Sequence, residues 1–156
     1  MVKAAFQLAC VCLSCSVLAA CGGSGTTDRQ QIANLFNGMY TAFAHGDYAA
    51  VCADLSQRQQ DTIVSGARKA GLKVSSCSDA FNALLREAGI SKAKVAQAFG
   101  ASGIKRKLDS VSVHGNQATI TFTESENGKT DVETDALVRQ GGQWRADRII
   151  KRTQSS

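Results

Sequence analysis

Between Gly100 and Gly103 the chain changes its hydrophobic period, and no other feature constrains the fold as strongly. Upstream, apolar residues recur three and four positions apart. Downstream, they alternate with polar residues, and β-branched types dominate. Helices gathered ahead of strands exclude alternating strand-helix-strand units and predict an α+β domain. Its N-terminal helices pack on one face of a four-stranded antiparallel meander.

The helical half divides at its caps. After Thr26-Thr27-Asp28, any of which can cap, Ile32, Leu35, Phe36, Met39, Tyr40 and Phe43 form one apolar stripe ending at Gly46. Asp47 is placed to cap a short second helix, Tyr48 to Leu55, with Val51, Cys52 and Leu55 on one face. Ser56-Gln57-Arg58-Gln59 has capping-box spacing and opens a polar third helix that carries Ile63 and Val64 and stops near Gly71. Cys77 is expected in the loop beyond. Ser76 or Ser78 caps a fourth helix with Phe81, Leu84 and Leu85 inward, and Ser91 to Phe99 adds a last turn or two.

Turn signals at His114-Gly115-Asn116, Glu126-Asn127-Gly128 and Gln140-Gly141-Gly142 divide the rest into four strands. A two-residue Gly115-Asn116 turn sets Val113 against Ala118. At Asn127-Gly128 a two-residue turn would set Phe122 against Glu133 and Ile120 against Asp135, mixing core with charge. A three-residue loop instead sets Phe122 against Val132, Ile120 against Thr134 and Ala118 against Ala136. That register, with the same loop at Gln140-Gly141-Gly142, is the expectation. It sets Val138 against Trp144 and Ala136 against Ala146. The inner face then comprises Val111, Val113, Ala118, Ile120, Phe122, Val132, Ala136, Val138, Trp144, Ala146 and Ile150, with Glu133, Asp135, Arg145 and Asp147 on the polar side.

The N-terminus says where such a domain is held. Lys3 precedes an apolar run, Ala4 to Val17, and Leu18-Ala19-Ala20-Cys21 is followed at once by Gly22-Gly23-Ser24-Gly25. The run is short for a membrane span and interrupted by Gln7, Ser14 and Ser16, so it reads as a signal peptide with a lipobox. Residues 1–20 are then the signal peptide, 21–27 a tether from lipidated Cys21, and 28–152 a single domain. Cleavage leaves 136 of the 156 residues and lowers the net charge from +5 to +4, as Lys3 is lost. The expected location is the outer side of a bacterial cell membrane. So modest a charge suits anionic lipid or wall polymer, and no nucleic-acid motif is present.

Of six cysteines, Cys10, Cys12 and Cys15 leave with the signal and Cys21 takes the lipid. Cys52 and Cys77 remain, and in an oxidising compartment such a pair is expected to form a disulfide. A metal site would need further ligands; with only His45 and His114 and no C-x-x-C spacing, neither metal nor other cofactor is expected.

Helices joined by Gly46-Asp47, then a meander ending in Gly141-Gly142-Gln143-Trp144-Arg145-Ala146-Asp147, resemble the nuclear transport factor 2-like superfamily, a cone-shaped α+β fold, over roughly Asp28 to Lys151. More narrowly, His45-Gly46-Asp47-Tyr48-Ala49-Ala50-Val51-Cys52-Ala53-Asp54-Leu55-Ser56, followed by Cys77, is similar to small actinobacterial lipoproteins of that superfamily. That resemblance also implies a bridged cysteine pair. The superfamily includes isomerases, dehydratases, ligand carriers and interaction domains, so it leaves activity open. Tyr40 resembles the oxyanion-donating tyrosine of steroid-isomerase-like members, but Asp61 does not match their aspartate base.

No catalytic set is therefore expected. Three roles compete, in this order: a lipid-anchored interaction module meeting an envelope protein, a carrier of an apolar or anionic amphiphilic ligand, and an isomerase-like enzyme. Two charges fall on the expected inner face, Asp109 and Arg148. Either a β-bulge and a frayed end turn them outward, or they line a cavity with Tyr40 and Trp144. In the second case Arg148 favours an anionic ligand. Lys105-Arg106-Lys107 and Lys151-Arg152 form a basic strip.

Overall fold

A computed structural model describes residues 24–99, 103–126 and 128–155; the lipobox and Cys21 lie outside them. Five helices, α1 (Ser24–Ala44), α2 (Tyr48–Ala53), α3 (Gln57–Lys69), α4 (Cys77–Glu87) and α5 (Lys92–Phe99), precede four strands. These are β1 (Lys105–His114), β2 (Gln117–Glu126), β3 (Lys129–Gln140) and β4 (Gln143–Ser155), an antiparallel meander in chain order. The α+β architecture follows the change of period.

Caps form where short polar side chains precede a helix. Asp47 accepts from the Ala50 amide at 3.1 Å, Ser56 from Gln59 at 3.2 Å and Ser76 from Asp79 at 3.1 Å. With Ser76 as cap, Cys77 is the first residue of α4 instead of a loop residue, and bonds to Cys52 of α2 with the Cα atoms 6.0 Å apart. The α4 face is rotated from expectation: Ala80 and Ala83 are buried against Ala67 and Val74, and Leu84 is exposed. Small residues let α3 and α4 approach closely, which carries the larger Leu84 out of the contact.

α1 crosses the inner face of the sheet, touching β1 and β4. Ile32 and Phe36 join Ala118, Ile120, Phe122, Leu137 and Trp144 in the main core. Phe36 and Phe122 rings lie 5.0 Å apart, whereas Phe43 turns away to meet Phe99 at 4.9 Å and Tyr48 at 5.7 Å between the helices. The α2–α3 junction is stitched to β4: Ser56 N–H donates to Ala146 O at 2.8 Å, and Ala146 N–H to Asp54 O at 2.9 Å.

Two of the three registers differ from expectation. Val113 does face Ala118. Glu126, however, pairs with Lys129, leaving two residues in the turn, so Phe122 faces Glu133, Ile120 faces Asp135 and Ala118 faces Leu137. Gln140 likewise pairs with Gln143, setting Arg139 against Trp144 and Leu137 against Ala146. Gly128 has φ +80°, and Gly141 and Gly142 have φ +57° and +80°, the left-handed backbone of hairpin turns whose twist matches the strands. The two-residue turns therefore prevail over the cleaner apolar face. Val132, Ala136 and Val138 take the outer side, while Glu133, Asp135, Leu137 and Arg139 point toward the helices. Ile150 is also not a core residue: it is the extra residue of a bulge in β4 and is exposed.

Candidate functional site

Arg139, placed inward, is met by Asp28 of α1. Its guanidinium donates to the Asp28 carboxylate and lies 4.7 Å from the Trp144 ring, while Trp144 Nε1–H points to the same carboxylate at 3.4 Å. Asp28 is thus a buried clasp between α1 and the sheet and not a helix cap. This cluster closes one end of the inner face.

Toward the other end lies a cleft of about 220 Å³, open to solvent. Phe36 and Met39 of α1, Phe122 of β2 and Leu55 and Ala146 form its apolar wall. Gln59 of α3, Arg106 of β1, Glu133 and Asp135 of β3 and Asp147, Arg148 and Ile149 of β4 complete it. Two bulges that add a residue to β4, at Asp147 and Ile150, re-aim the strand here.

The charges around the cleft are compensated unevenly. Arg106 Nη2 meets Glu124 at 2.7 Å, with its guanidinium carbon 5.3 Å from the Phe122 ring centre and 5.2 Å from that of Tyr40. Asp147 accepts from Ser56 Oγ at 2.7 Å and Arg58 Nε at 3.1 Å, and Arg148 Nη1 is 3.7 Å away. Burial raises the Asp147 pKa, but these bonds and cations outweigh it and hold the carboxyl below its ordinary range. Arg152 serves Asp131 at 3.2 Å and Glu133 at 3.6 Å. Among the described residues, only Asp135 of these carboxylates has no arginine within 4 Å, and its Oδ1 is buried without a hydrogen-bond partner. Burial first, then the charge of Glu133 and a carboxyl–carboxyl hydrogen bond with it, pushes Asp135 up to about 7, and Arg106 offsets only part of this.

The four pocket residues expected from sequence do not converge here. Tyr40 donates its hydroxyl to the Ile104 carbonyl and borders a separate groove near His45 and Phe99. Asp109 is the extra residue of a bulge in β1, where Thr123 Oγ1–H donates to it at 2.5 Å and Lys107 lies at 3.2 Å. The Thr123 bond, more than Lys107, holds the Asp109 carboxyl low. Trp144 is buried in the core, and Arg148 alone of the four borders the cleft, on a strand that continues to Ser155 without fraying. The sequence reading puts Glu133 and Asp135 on the polar face, Arg106 in a basic strip and Asp28 among the possible caps, so none of the four is expected at the inner face. Asn127-Gly128 carried the signal for the first two, since that dipeptide favours a two-residue turn. Cys52 and Cys77 pack behind the apolar wall of the cleft, against Leu55, Met39 and Ala146.

No family model matches the sequence, and neither does any curated protein. The fold is found in a solved structure. An NTF2-like protein of unknown function from Shewanella baltica OS155 superposes with a TM-score of 0.53 at 11% identity, over 86% of this chain and 99% of that one. NTF-2-like proteins of unknown function from Silicibacter pomeroyi DSS-3 and Burkholderia xenovorans LB400 match at 17% and 15% identity, with TM-scores of 0.47 and 0.41. They cover 80% and 81% of this chain, and 97% and 84% of their own. The chain has the NTF2-like fold, a helical layer curled over an antiparallel sheet, with a cleft at the inner face.

Proposed function

We propose that the chain is a non-enzymatic binding module, held at the outer side of a bacterial membrane by lipid on Cys21, that takes a small amphiphile into the cleft. One observation carries the reading: the inner face retains about 220 Å³ of space walled by Phe36, Met39 and Phe122 on one side and by ionisable groups on the other. An apolar wall facing convergent polar groups is a form that small-molecule sites take, and here the two halves are about equal, which suits an amphiphile. Native mass spectrometry of the full chain, isolated gently from its own envelope, is expected to eject a co-purified small molecule. Protein carrying only its own acyl chains at every collision energy overturns the carrier reading and leaves the interaction module, which would meet an envelope protein through the outer sheet face.

A second reading, proton transfer on a bound ligand with Asp135 as the base, is favoured by the position of that carboxyl near neutrality. Binding needs orientation alone, whereas catalysis also needs the reacting atom held against the base. Deuterium entering carbon positions of the bound molecule in heavy water marks the enzyme; a carrier leaves them unexchanged.

A further inference from the structure

We infer that the cleft selects a ligand headed by a protonated amine, seated against Asp135 with its tail on Phe36, Met39 and Phe122. The inference rests on the carrier reading and deepens it. Its basis is the local balance of charge. Around the cleft stand five carboxylates, Glu124, Asp131, Glu133, Asp135 and Asp147, and four arginines, Arg58, Arg106, Arg148 and Arg152. Each arginine sits on a carboxylate other than Asp135. An arriving anion would find its cations already engaged and meet the Glu133–Asp135 pair; an arriving ammonium supplies what Asp135 lacks. Its N–H groups also answer the buried Oδ1 that no protein donor reaches.

Space agrees with this assignment. An open cleft of about 220 Å³ has room for a short alkyl amine. Alkyl carbons would replace water against Phe36, Met39 and Phe122, leaving the nitrogen at the carboxyl pair.

Amine and proton then compete for one carboxyl. The charged groups around Asp135 are Glu133 along β3, Arg106 and Glu124 from β1 and β2, and Arg148, Asp147 and Arg152 from β4; from the helices Arg58 of α3 reaches Asp147, while Phe36, Met39 and Gln59 carry no charge. Protonated Asp135 gives its hydrogen bond to Glu133. Binding an ammonium ionises Asp135 and releases that proton to solvent, so affinity rises with pH through neutrality and the released proton is countable.

The test is isothermal titration of the full chain, carried in phosphatidylcholine nanodiscs with empty nanodiscs as the blank, against n-hexylamine, 1-hexanol and hexanoate. At pH 8, hexylamine is expected to bind roughly tenfold tighter than either neutral or anionic probe, a difference that Asp135→Asn abolishes. At pH 7, two buffers of different ionisation enthalpy should report release of a fraction of a proton per amine bound. Hexanol or hexanoate binding as tightly as the amine overturns the inference while leaving a cleft that takes ligands. Hexylamine binding unchanged in Asp135→Asn, or binding without proton release, overturns it as well. Failure of all three probes overturns both this inference and the carrier reading for ligands of this size. The proton count uses the unsubstituted protein, so the result does not depend on the folding of a variant.

Discussion

Asp135 is expected to cost the protein stability at neutral pH, which follows from its proton affinity. Its folded-state pKa, about 7, lies above the ordinary carboxyl value of 3.8. Between those values the native state binds more protons than the unfolded chain, so stability falls as pH rises from about 4 to about 7 and levels off beyond. At about 1.4 kcal/mol per pKa unit the ceiling is about 4 kcal/mol, and solvent screening of a partly exposed group reduces it to about 1–2 kcal/mol. Asp135→Asn should therefore raise the unfolding free energy read from urea titration at pH 8 by that amount, with a higher midpoint, and by progressively less toward pH 4. Equal midpoint shifts at both pH values would show that Asp135 is not destabilised by ionisation. None of this was visible in the residue's own neighbourhood in sequence, Glu133-Thr134-Asp135-Ala136, where alternation alone permits either face.

Among the elements, the Cys52–Cys77 bond ties α2 to the start of α4 across a sequence separation of 25. The chain-entropy estimate for a closed segment of that length is about 3.5 kcal/mol. Reduction is expected to lower the melting temperature by about 10–15 °C, read by circular dichroism with and without a thiol reductant. An unchanged melt would mean the unfolded chain gains little freedom from reduction. This pairing was legible in sequence because the expected signal peptide and acylated Cys21 account for the other four cysteines. The caps Asp47, Ser56 and Ser76 were legible because a capping residue acts within three positions of itself. The registers were not: a strand's face depends on the parity of a turn several residues away. Weighing burial of charge above turn geometry selected the wrong parity at Asn127-Gly128, and carrying the same loop over to Gln140-Gly141-Gly142 repeated it. Compensation by Arg152 at 3.6 Å from Glu133, contributed by the end of β4, lies beyond any local pattern.

At the scale of the whole molecule, the clasp from Asp28 to Arg139 and Trp144 fixes the domain only seven residues after Cys21. Because α1 begins at Ser24, only the three steps from Cys21 to the helix can extend, and they span at most about 11 Å. If Cys21 carries lipid, that leash keeps the domain at the bilayer surface. Metabolic labelling with a clickable fatty acid is expected to mark the wild type and leave Cys21→Ala unmarked and released from the membrane fraction. Label or membrane retention in the variant overturns the anchor.

The Glu126–Lys129 turn has an evolutionary consequence as well. It leaves two residues between strands, and that number alone sends Glu133 and Asp135 inward and Val132 and Thr134 outward. One inserted codon reverses the alternation along β3 while leaving every residue of the strand unchanged. The lining of the cleft then passes from carboxylates to valine, threonine and alanine, and Arg139 leaves Asp28 in the same step. A lineage of such domains can therefore exchange a charged chamber for a greasy one by a change in turn length, with no substitution inside the chamber at all.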